Sequence, residues 1–335
     1  MTEPAPAYRG SVVWLYARLA DGPDSAITLD GTAADEPLHF ERLVDGRYRT
    51  LLGIPVEGGD ALPIILRRST GAQTDTVTAD LTVLHPAYAN ERLSVAPEYA
   101  EPDSAARARI DAELAQSRAI SRRAHDTPCL WSGRFVRPRP SRITSVFGTG
   151  REFNGRVTSR HLGTDFAGKV GAPVRAAGRA VVALVARFYL AGNAVYLDHG
   201  SGLVTGYFHL SRVDVAAGDT VAAGQLIGAV GQSGRATGPH LHWIARYGGI
   251  TVDPMSLFEL GGRRRRRGRR GRRELLGRPL RPPRPFALCP PSPPSPPSPP
   301  SPSSPSSPSS PSFTPASPAT PAARLSGRPC PCSAS

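Results

Sequence analysis

Apolar and polar positions fall into three regimes along the chain. Up to about residue 100, compact or alternating apolar runs at 11–19, 48–56, 62–66 and 76–84 are separated by turn formers such as Asp45-Gly46 and Gly58-Gly59-Asp60. Short runs with that punctuation predict strands, and their number predicts a small sandwich of immunoglobulin type. Between 103 and 124 the spacing becomes helical, with Ile110, Leu114 and Ile120 on one side of a run rich in helix formers, and Asp103 or Ser104 placed to cap it. Pro128, Pro138 and Pro140 then predict an extended linker. From about 141 to 260 the pattern returns to short strands, at 181–185, 194–197, 203–208, 220–221, 226–230 and 240–245. Turns are expected at Asn193, His199-Gly200, Ala217-Gly218-Asp219 and Gly231. That predicts a compact, mostly antiparallel β domain.

The last stretch fits neither period. Residues 263–273 are nearly all Arg, and a Pro/Ser low-complexity run follows. Such text cannot bury enough apolar surface to offset the entropy of ordering, so disorder is expected, with local polyproline II at most. A shifted reading frame in a GC-rich gene yields the same kind of text, and the sequence leaves the two origins open. The expected organisation is an N-terminal β domain over 1–100, a connecting helix and linker over 101–140, a β domain over 141–260 and a disordered tail over 261–335.

Charge changes the picture only at the tail. The chain has 41 Lys+Arg against 27 Asp+Glu, formally +14. After Gly262 there are 14 Arg against the single acid Glu274, so the tail carries +13 of that excess. The folded part is near neutral and offers no basic stripe with interleaved aromatics, so no specific nucleic-acid partner is expected. Four cysteines, three of them in the tail, form neither a disulfide framework nor a metal-type spacing. The apolar run at 12–16 is short and lacks a basic segment before it, so no signal peptide is expected there. No run approaches the ~18 apolar residues of a membrane span.

Five of the eight histidines lie between 161 and 242. In SRHLGTDFAG, His161, Gly163 and Asp165 alternate, so an extended backbone turns all three to one side, with Gly163 leaving room between imidazole and carboxylate. In GPHLHW, His240 and His242 alternate in the same way, and His209 ends the apolar run of GYFHL. Two histidines and a carboxylate are the three protein ligands a catalytic zinc takes, and two further histidines can serve as general base and proton-donating partner, which amide hydrolysis needs. His39 and His85 stand isolated and His199 sits in LDHGSG; all three read as structural or surface residues.

The motifs ITSVFG, HLGTDFAG, GAPVRAAGRAVV, GNAVYLDHGSGLVTGYFHLS, AAGDTVAAGQLIGAVGQSGRATGPHLHWIARYGG and VDPMSLF resemble, in order, those of the M23 peptidases. These are the lysostaphin/LytM-type zinc endopeptidases of bacterial cell walls. The resemblance covers about residues 141–258, some 35% of the chain. It implies a β-rich barrel-sandwich catalytic domain, with the N-terminal β domain and helix as accessory regions. It implies His161, Asp165 and His242 as ligands of one Zn2+ per chain, and His209 and His240 as catalytic residues. It implies peptidoglycan as substrate and a periplasmic, extracellular or cell-envelope location; oligomeric state is left open. Arg151 and Asn154, in REFNGRVTSR, are expected to line the cleft. Some members steady the oxyanion with a tyrosine before the first His; none stands between Ser141 and His161 here, so that role is unassigned. The alternative reading is a non-catalytic M23-like regulator of other cell-wall hydrolases, which in such relatives accompanies loss of the ligands. A lipoyl-type carrier fits less well, because Lys169 directly follows the metal motif rather than sitting in a tight hairpin.

Overall fold

The computed structural model describes residues 1–19, 27–71, 73–155 and 157–261, without the side chains of Val157 and Thr158. The expected disorder of the tail concerns residues that, from 262 onward, lie outside these. The described residues belong to one compact unit, mostly β with one long helix.

The N-terminal part holds two four-stranded sheets. One is ordered Thr2–Glu3, Val12–Ala17, Tyr48–Gly53, Glu41–Arg42; the other Glu36–His39, Ile27–Ala33, Ala61–Thr70, Gln73–Thr82. Side-chain alternation along Val12–Ala17 serves two cores at once. Val13 and Leu15 pack with Leu52, Ile54, Leu62 and Ile64 between the two sheets. Val12 and Trp14 point the other way, into the core of residues 141–260. That strand reads as a nearly unbroken apolar run because both of its faces are covered.

The long helix, Ser104–Arg123, starts where the sequence predicts, with Asp103 accepting from the Ala106 N–H at 2.7 Å. Its Ser117, Ile120 and Ser121 are buried.

The remaining chain builds a ten-stranded sheet. Its main path runs Ile143–Ser145, Thr164–Ala167, His240–Tyr247, Leu203–Val213, Gly192–Gly200, Ala180–Phe188, Thr220–Val221. Pro173–Arg175, Leu226–Val230 and Ile250–Val252 pair at its sides. Along His240–Tyr247, Leu241, Trp243, Ala245 and Tyr247 enter the core, so His240, His242, Ile244 and Arg246 take the opposite face. A three-stranded sheet flanks that face. Its centre strand Gly150–Phe153 pairs antiparallel with Val157–Arg160 and parallel with Asn90–Leu93.

Two local expectations change. Asn193 lies within a strand, the turn falling before Gly192 at φ +64°. His199 also belongs to a strand, and the turn that follows is Gly200-Ser201-Gly202, all at positive φ. Glycine at both ends of that turn accommodates the left-handed backbone that the reversal requires.

Candidate metal centre and cleft

Strand register assembles the centre. Asp165 on Thr164–Ala167 lies directly opposite His242, which in turn lies opposite Phe208, one residue before His209. His161 follows the Val157–Arg160 strand and Asp165 enters the next, with residues 161–163 outside both. The pair therefore does not share one extended strand, as the alternation suggested. The two converge because the chain bends at Gly163. A Cβ there would meet His242 Cε1 at 2.5 Å and the Trp243 carbonyl at 2.8 Å, so the room left by this glycine is filled by the second imidazole.

Three donor atoms meet. His161 Nε2 lies 3.1 Å from Asp165 Oδ1 and 3.0 Å from His242 Nδ1, and the latter is 2.7 Å from Asp165 Oδ1. Among the described residues this trio is a group able to hold a metal ion. Tetrahedral zinc at about 2 Å from its ligands spaces them about 3.3 Å apart, so this triangle would open by about 0.2–0.6 Å per side to take the ion, and the two-imidazole, one-carboxylate set suits it. The His161 ring is oriented from behind: Nδ1 faces the Val146 carbonyl at 2.9 Å, an acceptor only, so Nδ1 carries the proton and Nε2 keeps its lone pair. Asp165 is held by its other oxygen, which accepts from Arg151 Nη2 at 2.7 Å; Arg151 Nε in turn donates to Glu91 Oε1 at 2.6 Å. Burial alone would raise the Asp165 carboxyl, but the His242 and His161 rings outweigh it and hold the group well below the usual carboxylate range.

His209 and His240 stand beside this trio, ring centroids 4.8 Å apart. His209 Nδ1 faces the Ser233 carbonyl at 2.7 Å and His240 Nδ1 faces the Gly238 carbonyl at 2.8 Å. Both rings thus donate from Nδ1 and present a free Nε2; that of His240 lies 3.7 Å from Asp165 Oδ1. Burial, with the neighbouring His240 and His242, lowers His209 to about 3, so it is neutral at physiological pH. His209 has φ +60° inside the Leu203–Val213 strand, and pairing shifts register on both sides of it. A left-handed non-glycine residue costs about 1–3 kcal/mol and persists where surrounding structure imposes it; here the His209 N–H bonds the Ala191 carbonyl at 2.8 Å.

All five residues line one cleft of about 620 Å³, which continues from the trio to the long helix, where Ile110, Glu113 and Leu114 form its wall. Five arginines also line it, at 142, 151, 160, 235 and 246. Arg235 lies over the Phe153 ring at 4.4 Å. Of the two residues expected to line the cleft, Arg151 does so; Asn154 instead bonds the backbone of Val95 through both ends of its amide. His199 is remote from the cleft lining and fully buried, between the Arg179 carbonyl and Thr205 Oγ1. His39 is not isolated: its Nε2 meets His125 Nδ1 at 2.8 Å, and His125 Nε2 meets Glu36 at 3.1 Å. Arg246 and the helix wall carry no motif, and the sequence pattern did not single them out for the cleft.

Residues 159–254 match peptidase family M23. That stretch carries an M23 peptidase domain. Over 117 residues it is 42% identical to the DD-carboxypeptidase/endopeptidase Mpg of Neisseria meningitidis, covering 35% of this chain and 27% of that protein. Over 102 residues it is 44% identical to the peptidoglycan DD-endopeptidase ShyA of Vibrio cholerae, covering 30% and 24%. The chain thus spans about a quarter of the length of these curated relatives. The crystal structure of an M23-type protein from Pseudomonas aeruginosa superposes with a TM-score of 0.58 at 25% identity, covering 77% of this chain and 97% of that one. That likeness takes in the N-terminal sheets as well as the peptidase fold.

Proposed function

We propose that the chain is a zinc-dependent endopeptidase that hydrolyses peptide cross-links of bacterial peptidoglycan. The carrying observation is the meeting of His161 Nε2, Asp165 Oδ1 and His242 Nδ1 within 3.1 Å beside two imidazoles that each present a free Nε2. The M23 match and the DD-endopeptidase names of the relatives support the substrate class. His161, Asp165 and His242 hold one zinc ion, which when bound polarises a carbonyl and lowers the pKa of water to about 7.

The protein's own side chains supply the proton traffic. His209 is buried and neutral, its Nδ1–H committed to Ser233, so Nε2 is the acceptor that takes a proton from the attacking water. The proton taken up at His209 Nε2 passes on to the leaving amine, while His240, less buried and fixed by Gly238, holds its free Nε2 beside the reacting groups as a second acceptor. Arg151 keeps Asp165 aimed by occupying its second oxygen. The location is the cell envelope, where the substrate lies. Among the described residues no helix is long and apolar enough to cross a membrane.

The test is zinc content per chain together with release of peptides from purified peptidoglycan, with and without a chelator. One zinc with chelator-sensitive cleavage is expected. Bound zinc without cleavage points instead to the regulatory reading, and a folded chain that takes no zinc overturns the ligand assignment.

A further inference from the structure

The His240–Tyr247 strand carries the site in one direction and an unexplained charge in the other. Its cleft-facing side chains are His240, His242, Ile244 and Arg246, so Arg246 lies four residues beyond His242, about 13 Å along the strand. It is 9% exposed, in register with Val204 and Thr251, in surroundings made apolar by Tyr196, Val204 and Ile244. Its Nε and Nη1 are buried without a hydrogen-bond partner, and no carboxylate pairs with it among the described residues. The acid on the neighbouring helix, Glu113, is committed elsewhere: Oε1 accepts from Arg109 and Oε2 accepts from the Tyr189 N–H. Arg118, within electrostatic reach, adds positive charge.

Arg139 and Arg151 behave differently. Arg139 donates to Ser141 and the Pro173 carbonyl, and Arg151 to Glu91, Ser145 and Asp165. A guanidinium cannot shed its charge to escape burial, and leaving it unpaired disfavours the folded state. Yet Arg246 lines the cleft that leads to the metal centre. We propose that Arg246 is an anion subsite at the helix end of the cleft, binding a carboxylate of the peptide whose cross-link is cut at the other end. The fork of donors matches a carboxylate, and the spacing sets that carboxylate three to four extended residues from the scissile bond. The subsite rests on the proposed peptidase function, and it selects acidic stem peptides with a free distal carboxylate over amidated or shorter ones.

The experiment uses the full chain carrying His240→Ala, so that the probe is bound and not consumed. Calorimetry compares a soluble cross-linked peptide dimer with free carboxylates against the same dimer amidated. The expected result is binding of the free form about ten-fold tighter or more. That preference should vanish on adding Arg246→Met, while Arg246→Lys, which keeps charge without the fork, retains part of it. Thermal unfolding separates a binding role from a packing one, because removing an unpaired buried charge leaves Tm unchanged or higher. Equal binding of both dimers, or a preference that survives Arg246→Met, overturns the subsite and leaves the peptidase reading standing. A fall in Tm with unchanged binding overturns it as well. A chain that binds neither dimer overturns both.

Discussion

Single residues in the centre divide by what they hold, and the division is testable. His161, Asp165 and His242 share donor atoms with one another, whereas His209 and His240 spend Nδ1 on backbone carbonyls and offer only Nε2. Alanine at 161, 165 or 242 should therefore remove zinc along with turnover. Alanine at 209 or 240 should abolish turnover and leave one zinc per chain by metal analysis; full activity in His240→Ala would overturn its role. Gly163 supplies a sharper case, because its replacement touches no ligand atom chemically. The Cβ of Gly163→Ala presses on the His242 ring and the Trp243 carbonyl, and the backbone side cannot yield. Zinc affinity should drop about 10–100-fold, the range for disturbed ligand orientation, with circular dichroism unchanged. Competition with a chelating dye reads this directly, and wild-type affinity would mean that His242 can move aside.

Elements differ in how far they could be read from the chain. The helix was legible because cap, composition and spacing agree over twenty residues, and Asp103 is the cap. Asp103→Ala should cost about 1 kcal/mol, seen as a small loss of Tm with unchanged cleavage; no change would mean that packing against the sheet alone sets the helix start. The long strands of the sheet were legible for the same reason, and the alternation of His240 and His242 holds on their shared strand, whereas His161 and Asp165 meet across a bend that alternation does not describe. Short strands were not legible. Ile143–Ser145, Gly150–Phe153 and Asn90–Leu93 are too brief to show a period, and the last two pair across some sixty residues. That pairing sets Glu91 against Arg151 and so reaches Asp165. The left-handed turn at His209 was hidden for another reason: nothing in GYFHL marks it, since the surrounding loop imposes it through Ala191 and Ser233. Arg246 looked like one more scattered arginine because partners, not spacing, make it unusual.

At the scale of the molecule, apolar packing ties the N-terminal sheets to the peptidase fold. Val12, Trp14 and Leu51 belong to the same core as Trp243 and Leu257; Trp14 Nε1 donates to the Leu260 carbonyl at 2.9 Å and Tyr247 OH to the Pro37 carbonyl at 2.7 Å. A fragment of 141–261 should thus unfold at a lower denaturant midpoint than 1–261. Equal midpoints would mean that the shared core adds nothing. The interior also fixes how stability responds to acid. His199, far from the cleft, is fully buried, and burial lowers it from 6.5 to about 4. Above pH 6.5 it is neutral folded or unfolded and contributes no pH dependence. As pH falls from 6.5 toward 4, the unfolded chain takes up a proton that the folded chain refuses, so stability is lost through that window, roughly 2–3 kcal/mol by pH 4.5. His199→Gln has no such proton to bind. Between pH 7 and 4.5 the wild-type chain should therefore lose that much more stability than the variant, read from paired denaturation curves. Equal losses would mean that His199 accepts its proton in place, with the Phe135 ring and Thr205 yielding to a charge.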